Sequence, residues 1–362
     1  MRILYVINTG LIGGLQRHVL CLMQCLCAQG ERVNGERVKG EGVNGERVKG
    51  PSAEVAVAIN AVTDPRVVEM FEKERLKVYL LGGKSGHDLR VVGRFKKVLE
   101  DFKPDVIHAH GLPIVVGLWM LLGGKRCPVV HSIHTPSGKP TLKGRVEHFV
   151  WDHVVDYWLP VSGPTWAMFK RWHPNAKGEV FFNPLRMVAT GRAAGNAQTT
   201  NFIVGMVGRA ADQKDWPSFH AVAALVGERV KGVEFLNAGE EKVCNGREAI
   251  AKMDLFMMTS KHEQLPTTVL ECFALGTPIC GFIPDGGTTD ILQFSTGPVR
   301  DAFIKERSCE KLADIVLDLL AHPEKRAALV ADGRQILENH FDAEKLCKGQ
   351  LMEVYERLVV GG

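Results

Sequence analysis

Two acids stand close together in the stretch HEQLPTTVLECFALGTPI, residues 262–279, where Glu263 and Glu271 are eight positions apart. The stretch follows an apolar run, and Pro266 with the threonines after it predicts the start of a helix. Glu263 then lies on a loop, and Glu271 lies inside the helix. Backbone N–H groups from Leu265 onward suit an anion, and a carboxylate accepts hydrogen bonds from neighbouring hydroxyls. The stretch therefore predicts a site for a phosphate and a hydroxyl-rich ligand.

Two cations and two glycines stand at comparable places in the chain. Arg209 and Lys214, in VGRAADQKD, follow the apolar run FIVGMV, so they are expected at the carboxyl end of a strand. A diphosphate needs two such cations, although two solvated surface charges are the alternative interpretation. Gly13 and Gly14, in TGLIGGLQRH, open a helix and permit a close approach of backbone to ligand. The loop lacks G-x-G-x-x-G, which disfavours a dinucleotide.

Histidines follow two other apolar runs. His108 and His110, in HAHG, share one face of a predicted strand and could resemble a metal pair. The sequence offers no evident third ligand, so we interpret them as polar residues that face a loop. His134 ends the run VVHSIH, and a structural histidine is its alternative interpretation.

The length, composition and net charge are those of an ordinary protein of two domains. The chain has 362 residues, 45% of them apolar and 24% charged, and a net charge of +4 that argues against a strong nucleic-acid footprint. The first residues lack the apolar core of a signal peptide, and the longest apolar stretch is shorter than the about 20 residues that span a bilayer. We therefore expect a cytoplasmic protein.

Two other features are not given a chemical role. Cys21, Cys25 and Cys27 belong to a total of nine cysteines, and we interpret the three as small apolar residues of a helix. The five-residue repeat in residues 30–50 is polar and rich in glycine. It predicts a surface loop or a disordered insert.

The rest of the chain alternates strand and helix patterns, which predicts parallel sheets covered on both faces. Residues 186–201 lack apolar periodicity and predict a linker between two doubly wound domains that face a cleft. The predicted segments are an N-terminal domain, a linker, a C-terminal domain and a closing helix that packs back on the first domain, at 1–185, 186–201, 202–340 and 341–362.

The segment from Glu263 to Glu271 resembles the E-x7-E motif of retaining GT-B glycosyltransferases, and its surroundings resemble glycosyltransferase family four. VGRAADQKD resembles the phosphate-binding stretch of that family, GLIGGLQRHV its glycine loop, VVHSIHTP its histidine-bearing strand end and DGGTTDIL its Gly-Gly loop. The resemblance covers nearly the whole chain. Only thirteen residues separate FLNAG from MDLF, where the family usually has a further helix and strand.

The resemblance implies a role for each matched residue. Arg209 and Lys214 would hold the diphosphate and stabilise the departing nucleotide diphosphate. Glu271 would bind the ribose, and Glu263 and His134 would lie beside the transferred sugar. The implied catalytic residues are His134, Glu263, Arg209 and Lys214, and the implied donor-binding residues are Gly13, Gly14, Arg209, Lys214, Glu263, Leu265, Pro266, Thr267 and Glu271. The family generally needs no bound metal, so no cofactor is expected.

The resemblance implies a retaining hexosyltransferase that uses a nucleotide-diphosphate sugar. Its acceptor would be a glycan or a lipid-linked glycan of cell-envelope polysaccharide synthesis. Lys139, Lys143 and Arg145 are candidate contacts for an anionic acceptor or the cytoplasmic membrane surface. The alternatives are a degenerate protein that binds nucleotide sugars without turnover, and a nucleotide-sugar epimerase on the same fold.

Overall fold

The computed structural model of the protein describes residues 1–10, 14–27, 32–33, 36–37, 53–135, 142–186, 201–240 and 245–361. They divide into two compact units. The first unit comprises Met1–Pro160, Trp166–Pro184 and Ala343–Gly362, and the second comprises Val161–Thr165 and Leu185–Asp342. Most of the predicted linker, 187–200, is outside the described residues.

A six-stranded parallel sheet forms the centre of the first unit, in the order β5-β4-β1-β6-β7-β8. The strands up to β8 are β1 (Arg2–Gly10), β2 (Arg32–Val33), β3 (Glu36–Arg37), β4 (Glu54–Val62), β5 (Lys77–Leu80), β6 (Val106–Ala109), β7 (Val129–Ile133) and β8 (Tyr157–Pro160). Residues 3–7 of β1 are fully buried and alternate between two apolar cores, one on each face of the sheet. The uninterrupted apolar run of β1 is the consequence of this double cover.

Six helices accompany these strands. They are α1 (Gly14–Leu26), α2 (Arg66–Lys73), α3 (Arg90–Phe102), α4 (Ile114–Trp119), α5 (Leu142–Val154) and α6 (Gly163–Lys170). A π-helical turn, Met120–Gly124, follows α4. Cys25 is buried among apolar residues of α1, with Cys21 partly buried beside it, as expected for cysteines that serve as small apolar residues.

The repeat segment lies between two adjacent points of the first unit. Cys27 and Ala53 form an isolated parallel bridge, and the amide of Ala53 donates to the carbonyl of Leu26 at 3.0 Å. The described part of the segment is the antiparallel pair β2–β3. The remainder of the predicted insert is outside the described residues.

The second unit is built on a five-stranded parallel sheet in the order β10-β9-β11-β13-β15. Its strands are β9 (Phe202–Val207), β10 (Val233–Ala238), β11 (Leu255–Met258), β12 (His262–Glu263), β13 (Ile279–Phe282), β14 (Asp285–Gly286) and β15 (Phe303–Ile304). The sequence did not predict β12, β14 and β15, because a strand of two residues has no periodicity to detect.

The helices of the second unit alternate with its strands along the chain. They are α7 (Trp216–Arg229), α8 (Gly246–Lys252), α9 (Thr267–Leu275), α10 (Thr288–Leu292), α11 (Pro298–Asp301), α12 (Cys309–Ala321) and α13 (Pro323–Ile336). A single 3-10 turn, Asp212–Lys214, precedes α7, and a π-helical turn, Leu337–Phe341, follows α13. Within its described part, the connection from β10 to β11 contains α8 and no strand.

The last residues of the chain return to the first unit. They form α14 (Ala343–Leu346), a π-helical turn at Cys347–Leu351 and α15 (Met352–Val360). Met352, Val354 and Tyr355 are buried in the same apolar core as Ile3 and Tyr5 of β1. No helix of the described residues is both long and apolar enough to cross a membrane.

Candidate active site

The second unit brings together two of the residues that the sequence singled out. Lys214 ends the 3-10 turn after β9, and Glu263 belongs to β12, in the loop after β11. Nζ of Lys214 lies 2.6 Å from Oε1 of Glu263, and their side chains are only 15% and 10% exposed. Because parallel strands end at one edge of the sheet, the two loops meet at its carboxyl edge.

A pair of glycines packs directly against the backbone at Glu263. β12 pairs with β14, and the amide of Gly287 donates to the carbonyl of Glu263 at 2.9 Å. A Cβ on Gly286, whose φ is +114°, would lie 2.1 Å from that carbonyl oxygen, and one on Gly287 would lie 2.0 Å from the carbonyl oxygen of Gln264. Any larger residue would push the two loops apart, so both positions require glycine.

An ion pair that the sequence did not reveal supports the loop of Lys214. Asp215 has a left-handed backbone, and its Oδ2 accepts hydrogen bonds from Arg307 at 2.5 Å and from Ser218 at 2.7 Å. Arg307 also donates to the carbonyls of Thr259 and Ser260. Burial alone would raise the pKa of Asp215, but the hydrogen bonds from Ser218 and Arg307 bring it below its ordinary value.

Arg209 stands apart from the buried pair. It is exposed, and its carbonyl accepts a 3.1 Å hydrogen bond from Nε1 of Trp216. No ion pair of its guanidinium group with another described residue is found. The structure therefore places Arg209 at the same strand end as Lys214, with its charge presented to solvent.

The start of α9 carries the remaining donor-binding candidates of the second unit. Leu265 and Pro266 are buried, Thr267 is half-buried, and no described side chain caps the helix. The first N–H groups of a helix have no acceptor inside it, so they are free to bind an anion. Glu271 is half-buried on the same helix, one turn further along.

The candidates of the first unit are only partly described. Gly14 is exposed at the start of α1, and a Cβ there would have no described atom within 4 Å. Gly13 and Lys139 are outside the described residues, as is the side chain of Lys143. Arg145 is exposed on α5.

Three histidines of the first unit form a cluster that the sequence analysis did not predict. The ring centroids of His18, His110 and His134 are separated by 5.3, 5.1 and 5.2 Å, close to an equilateral triangle. His18 and His110 are 7% and 5% exposed, and Nδ1 of His110 lies 2.9 Å from Nε2 of His134. His18 belongs to α1, His110 directly follows β6 and His134 directly follows β7.

The interpretation of His108 and His110 as loop-facing residues is wrong. His108 is completely buried, with Nδ1 2.6 Å from the hydroxyl of Tyr355 and Nε2 2.8 Å from that of Ser132. Both histidines are buried, because the residues around them close over the end of the strand. His110 instead joins His18 and His134. That cluster was missed because His18 is distant in sequence and belongs to a helix.

Burial governs the protonation of these imidazoles. It lowers the pKa of His18, His108 and His110 well below the ordinary value of 6.5, and the positive charge of neighbouring histidines acts in the same direction. The pKa of His134 falls to about 3 for the same two reasons. The cluster is therefore uncharged at neutral pH.

A cavity of ≈ 620 Å³ lies at the opposite edge of the second sheet. Phe202, Asp254 and Pro278, which precede or begin strands, contribute to its wall with Arg326 of α13. Ligands of open parallel sheets bind at the carboxyl ends of the strands, so the pair Lys214–Glu263 is the better candidate site.

The chain resembles known glycosyltransferases in sequence and in fold. The chain matches the model of Glycosyltransferase Family 4 over residues 12–183 and that of Glycosyl transferases group 1 over residues 192–336. It also superposes on HepE of Anabaena, solved with UDP and glucose, with a TM-score of 0.72 and 15% identity, over 99% of this chain and 100% of that one. The chain belongs to the GT-B glycosyltransferases. The predicted fold class of two Rossmann-like α/β domains is confirmed.

Two other matches to this GT-B glycosyltransferase have a lower TM-score or cover less of the chain. Sucrose-phosphate synthase of Thermosynechococcus elongatus is 16% identical over 100% of both chains, with a TM-score of 0.67. The 2-deoxystreptamine N-acetyl-D-glucosaminyltransferase of Streptomyces fradiae is 26% identical over 185 residues. That match spans 41% of this chain and less than half, 43%, of the relative.

Proposed function

We propose that the protein transfers a hexose from a nucleotide-diphosphate sugar to a glycan or lipid-linked acceptor, with retention of anomeric configuration. The largely buried pair of Lys214 and Glu263, 2.6 Å apart beside the Gly286–Gly287 backbone, carries the proposal. A lysine held at a strand end supplies positive charge to a diphosphate, and the adjacent carboxylate accepts hydrogen bonds from sugar hydroxyls.

The leaving group sets the role of the cations. Breaking the bond from sugar to phosphate leaves negative charge on the nucleotide diphosphate, and fixed cations that stabilise this charge lower the barrier. Lys214 is held in place by Glu263, whereas Arg209 is exposed and must order around the ligand. These two cations replace a metal ion in the proposal. The uncapped start of α9 adds backbone N–H groups, and Glu271 is assigned the ribose.

The first unit supplies the acceptor side in this proposal. From the family resemblance, His134 is assigned to the sugar, and Gly14 to a close approach of ligand and backbone. Val146 and Phe149 of α5, each 55% exposed, stand beside the exposed Arg145. Exposed apolar side chains next to basic ones suit the surface of an anionic membrane, so we propose a lipid-linked acceptor at the cytoplasmic face, in envelope polysaccharide synthesis.

Thermal stabilisation by nucleotides is the first test. Ligands that bind only the folded protein raise its melting temperature. UDP and UDP-glucose lead the panel because HepE of Anabaena was solved with UDP-glucose. The shift should disappear in Lys214→Ala and persist in Lys231→Ala, which removes an exposed lysine before β10, at the other edge of the sheet.

The product then tests the chemistry. With a hydrolysable or synthetic acceptor, NMR of the product reports the configuration of the new anomeric centre. An inverted product would overturn the proposed retention. Donor binding without transfer to any acceptor would favour a degenerate binding protein, and interconversion of free nucleotide sugars would favour an epimerase.

A further inference from the structure

The histidine cluster of the first unit contains buried nitrogen atoms that lack partners. Neither ring nitrogen of His18 has a hydrogen-bond partner among the described residues, and the same holds for Nε2 of His110. An unsatisfied buried polar atom destabilises a fold by about 1–3 kcal/mol. Three such atoms belong to this one cluster, whereas the other unpartnered buried side-chain atoms among the described residues of the first unit belong to three different residues, Asn60, His131 and Asn183. This concentration of unpartnered nitrogen atoms indicates a ligand site.

Distance and chemistry identify the ligand class. One ring nitrogen from each of His18, His110 and His134 lies within 4.8 Å of the other two. In a tetrahedral zinc site with Zn–N bonds of about 2.0–2.1 Å, the nitrogens are roughly 3.4 Å apart. Small ring rotations would open the 2.9 Å contact between His110 and His134 and close the widest pair.

We propose that His18, His110 and His134 form a binding site for a divalent transition-metal ion of the zinc type. Neutral imidazole suits Zn²⁺, Co²⁺, Ni²⁺ and Cu²⁺, whereas Mg²⁺ and Ca²⁺ prefer oxygen ligands. Three histidines leave one coordination position open. His108 lies behind the cluster, its ring centroid 4.3 Å from that of His110.

The site shares His134 with the proposed sugar transfer, whereas His18 and His110 have no role in that proposal. All three ligands belong to the first unit, and the residues assigned to the diphosphate belong to the second. The cluster contains no carboxylate, so a bound cation would keep its full charge. It would therefore attract an anionic or strongly polar group to the open position.

Cobalt is the probe for the test, because its visible spectrum distinguishes four-coordinate from six-coordinate sites. The full chain, first treated with a chelator, is titrated with Co²⁺ and then with Zn²⁺. We expect one equivalent of Co²⁺ to bind with a four-coordinate spectrum, and Zn²⁺ to displace it. His18→Gln and His110→Asn should weaken binding roughly 100-fold or more, since losing a residue that only orients a ligand already weakens metal binding about 10–100-fold.

The matched control is His220→Ala, which removes an exposed histidine of α7 paired with Glu240. This variant should bind one equivalent of Co²⁺, as the unchanged protein does. No binding, or binding that the cluster variants leave unchanged, would overturn the proposal. If both cluster variants fail to fold, zinc X-ray absorption of the unchanged protein decides, because fewer than three imidazole ligands would also overturn it.

Discussion

Lys214 donates a hydrogen bond of 2.6 Å from Nζ to Oε1 of Glu263, although 49 residues separate the two in sequence. The lysine is therefore in place before any ligand arrives. A flexible surface lysine would first have to give up rotamer freedom. The packing of Gly208 against the Lys214 stem, where a Cβ would lie 2.9 Å from it, restricts the side chain further.

Lys214→Ala should separate catalysis from stability. Transfer is expected to fall roughly 100- to 1,000-fold, as for loss of a charge-stabilising group. It leaves Glu263 buried without its partner, which destabilises the fold by up to about 3–5 kcal/mol. In Lys214→Ala with Glu263→Gln the uncompensated charge is gone. Urea unfolding should then show recovered stability while transfer stays low, and recovery of transfer in the double variant would contradict the assigned role.

Glu271→Ala should lose discrimination between ribose and deoxyribose. A hydrogen bond to a charged group contributes about 1.5–3 kcal/mol, so the Kd for the nucleoside diphosphate should rise roughly tenfold or more. Calorimetric titration with the ribose nucleotide and its 2′-deoxy and 3′-deoxy forms measures the coupling energy between Glu271 and each ribose hydroxyl directly. Glu324→Ala, at an exposed position of α13, is the control. If Glu271→Ala still distinguishes the sugars, another residue binds the ribose.

Gly14→Ala should fold normally and transfer poorly. A methyl group there meets no described atom within 4 Å, and alanine favours a helix over glycine. A ligand that passes close to the backbone would clash with it, and one methyl group is worth roughly a tenfold loss or more in kcat/KM. Gly93→Ala, also with open space around it in α3, should change neither melting nor transfer. Full activity of Gly14→Ala would remove this glycine from the site.

Asp332→Asn should destabilise the second unit in a pH-dependent way. Burial would raise the pKa of Asp332, but hydrogen bonds from Ser295, Val299 and Thr296 bring it below its ordinary value. A lowered folded-state pKa stabilises the fold above the unfolded-state pKa of about 3.9, and this stabilisation is lost as pH falls through the folded-state pKa.

The free energy of unfolding should therefore differ between the two proteins by about 1–3 kcal/mol at neutral pH. The difference should shrink on acidification below about pH 4. Urea unfolding across this pH range measures it, with the exposed Asp301→Asn as the control that shows no such trend. A difference that grows in acid would contradict the assignment.

Deletion of residues 33–49 should leave the fold and the donor site intact. The segment leaves and returns at Cys27 and Ala53, which already pair, so a short connection can join them. Shortening the loop should stabilise the protein slightly, by about 1 kcal/mol of closure entropy. Near-UV circular dichroism and the melting temperature provide the check. A chain that no longer folds would show that the repeat packs on the first unit.

The sequence predicted the features that depend on local pattern, such as strands and the residues at their ends. β1 is an unbroken apolar run because both of its faces are covered, and Lys214 and Glu263 were expected at carboxyl strand ends because each follows such a run. The sequence did not predict which residues distant along the chain form pairs. Arg307 and Asp215 are 92 residues apart, and nothing in the residues around either one indicates the other.

The histidines show the same limit. His108 and His110 stand at the end of a predicted strand and were interpreted as residues that face a loop, yet Tyr355, 247 positions away, closes over His108. His18 joined the cluster from a helix whose apolar periodicity gave no sign of it. Burial of a polar residue is decided by what packs on it, and that information lies elsewhere in the sequence.

The return of α15 to the first unit means that this unit can be completed only after the second unit has been made. Ile3 and Tyr5 leave the ribosome before the second unit does, and Met352 and Tyr355, which share their core, leave it after the second unit. Until then one apolar face of the first sheet lacks the part of its cover that α15 provides. The growing chain is thus exposed to aggregation and to chaperones for most of its synthesis, and its second unit can be the first to finish folding.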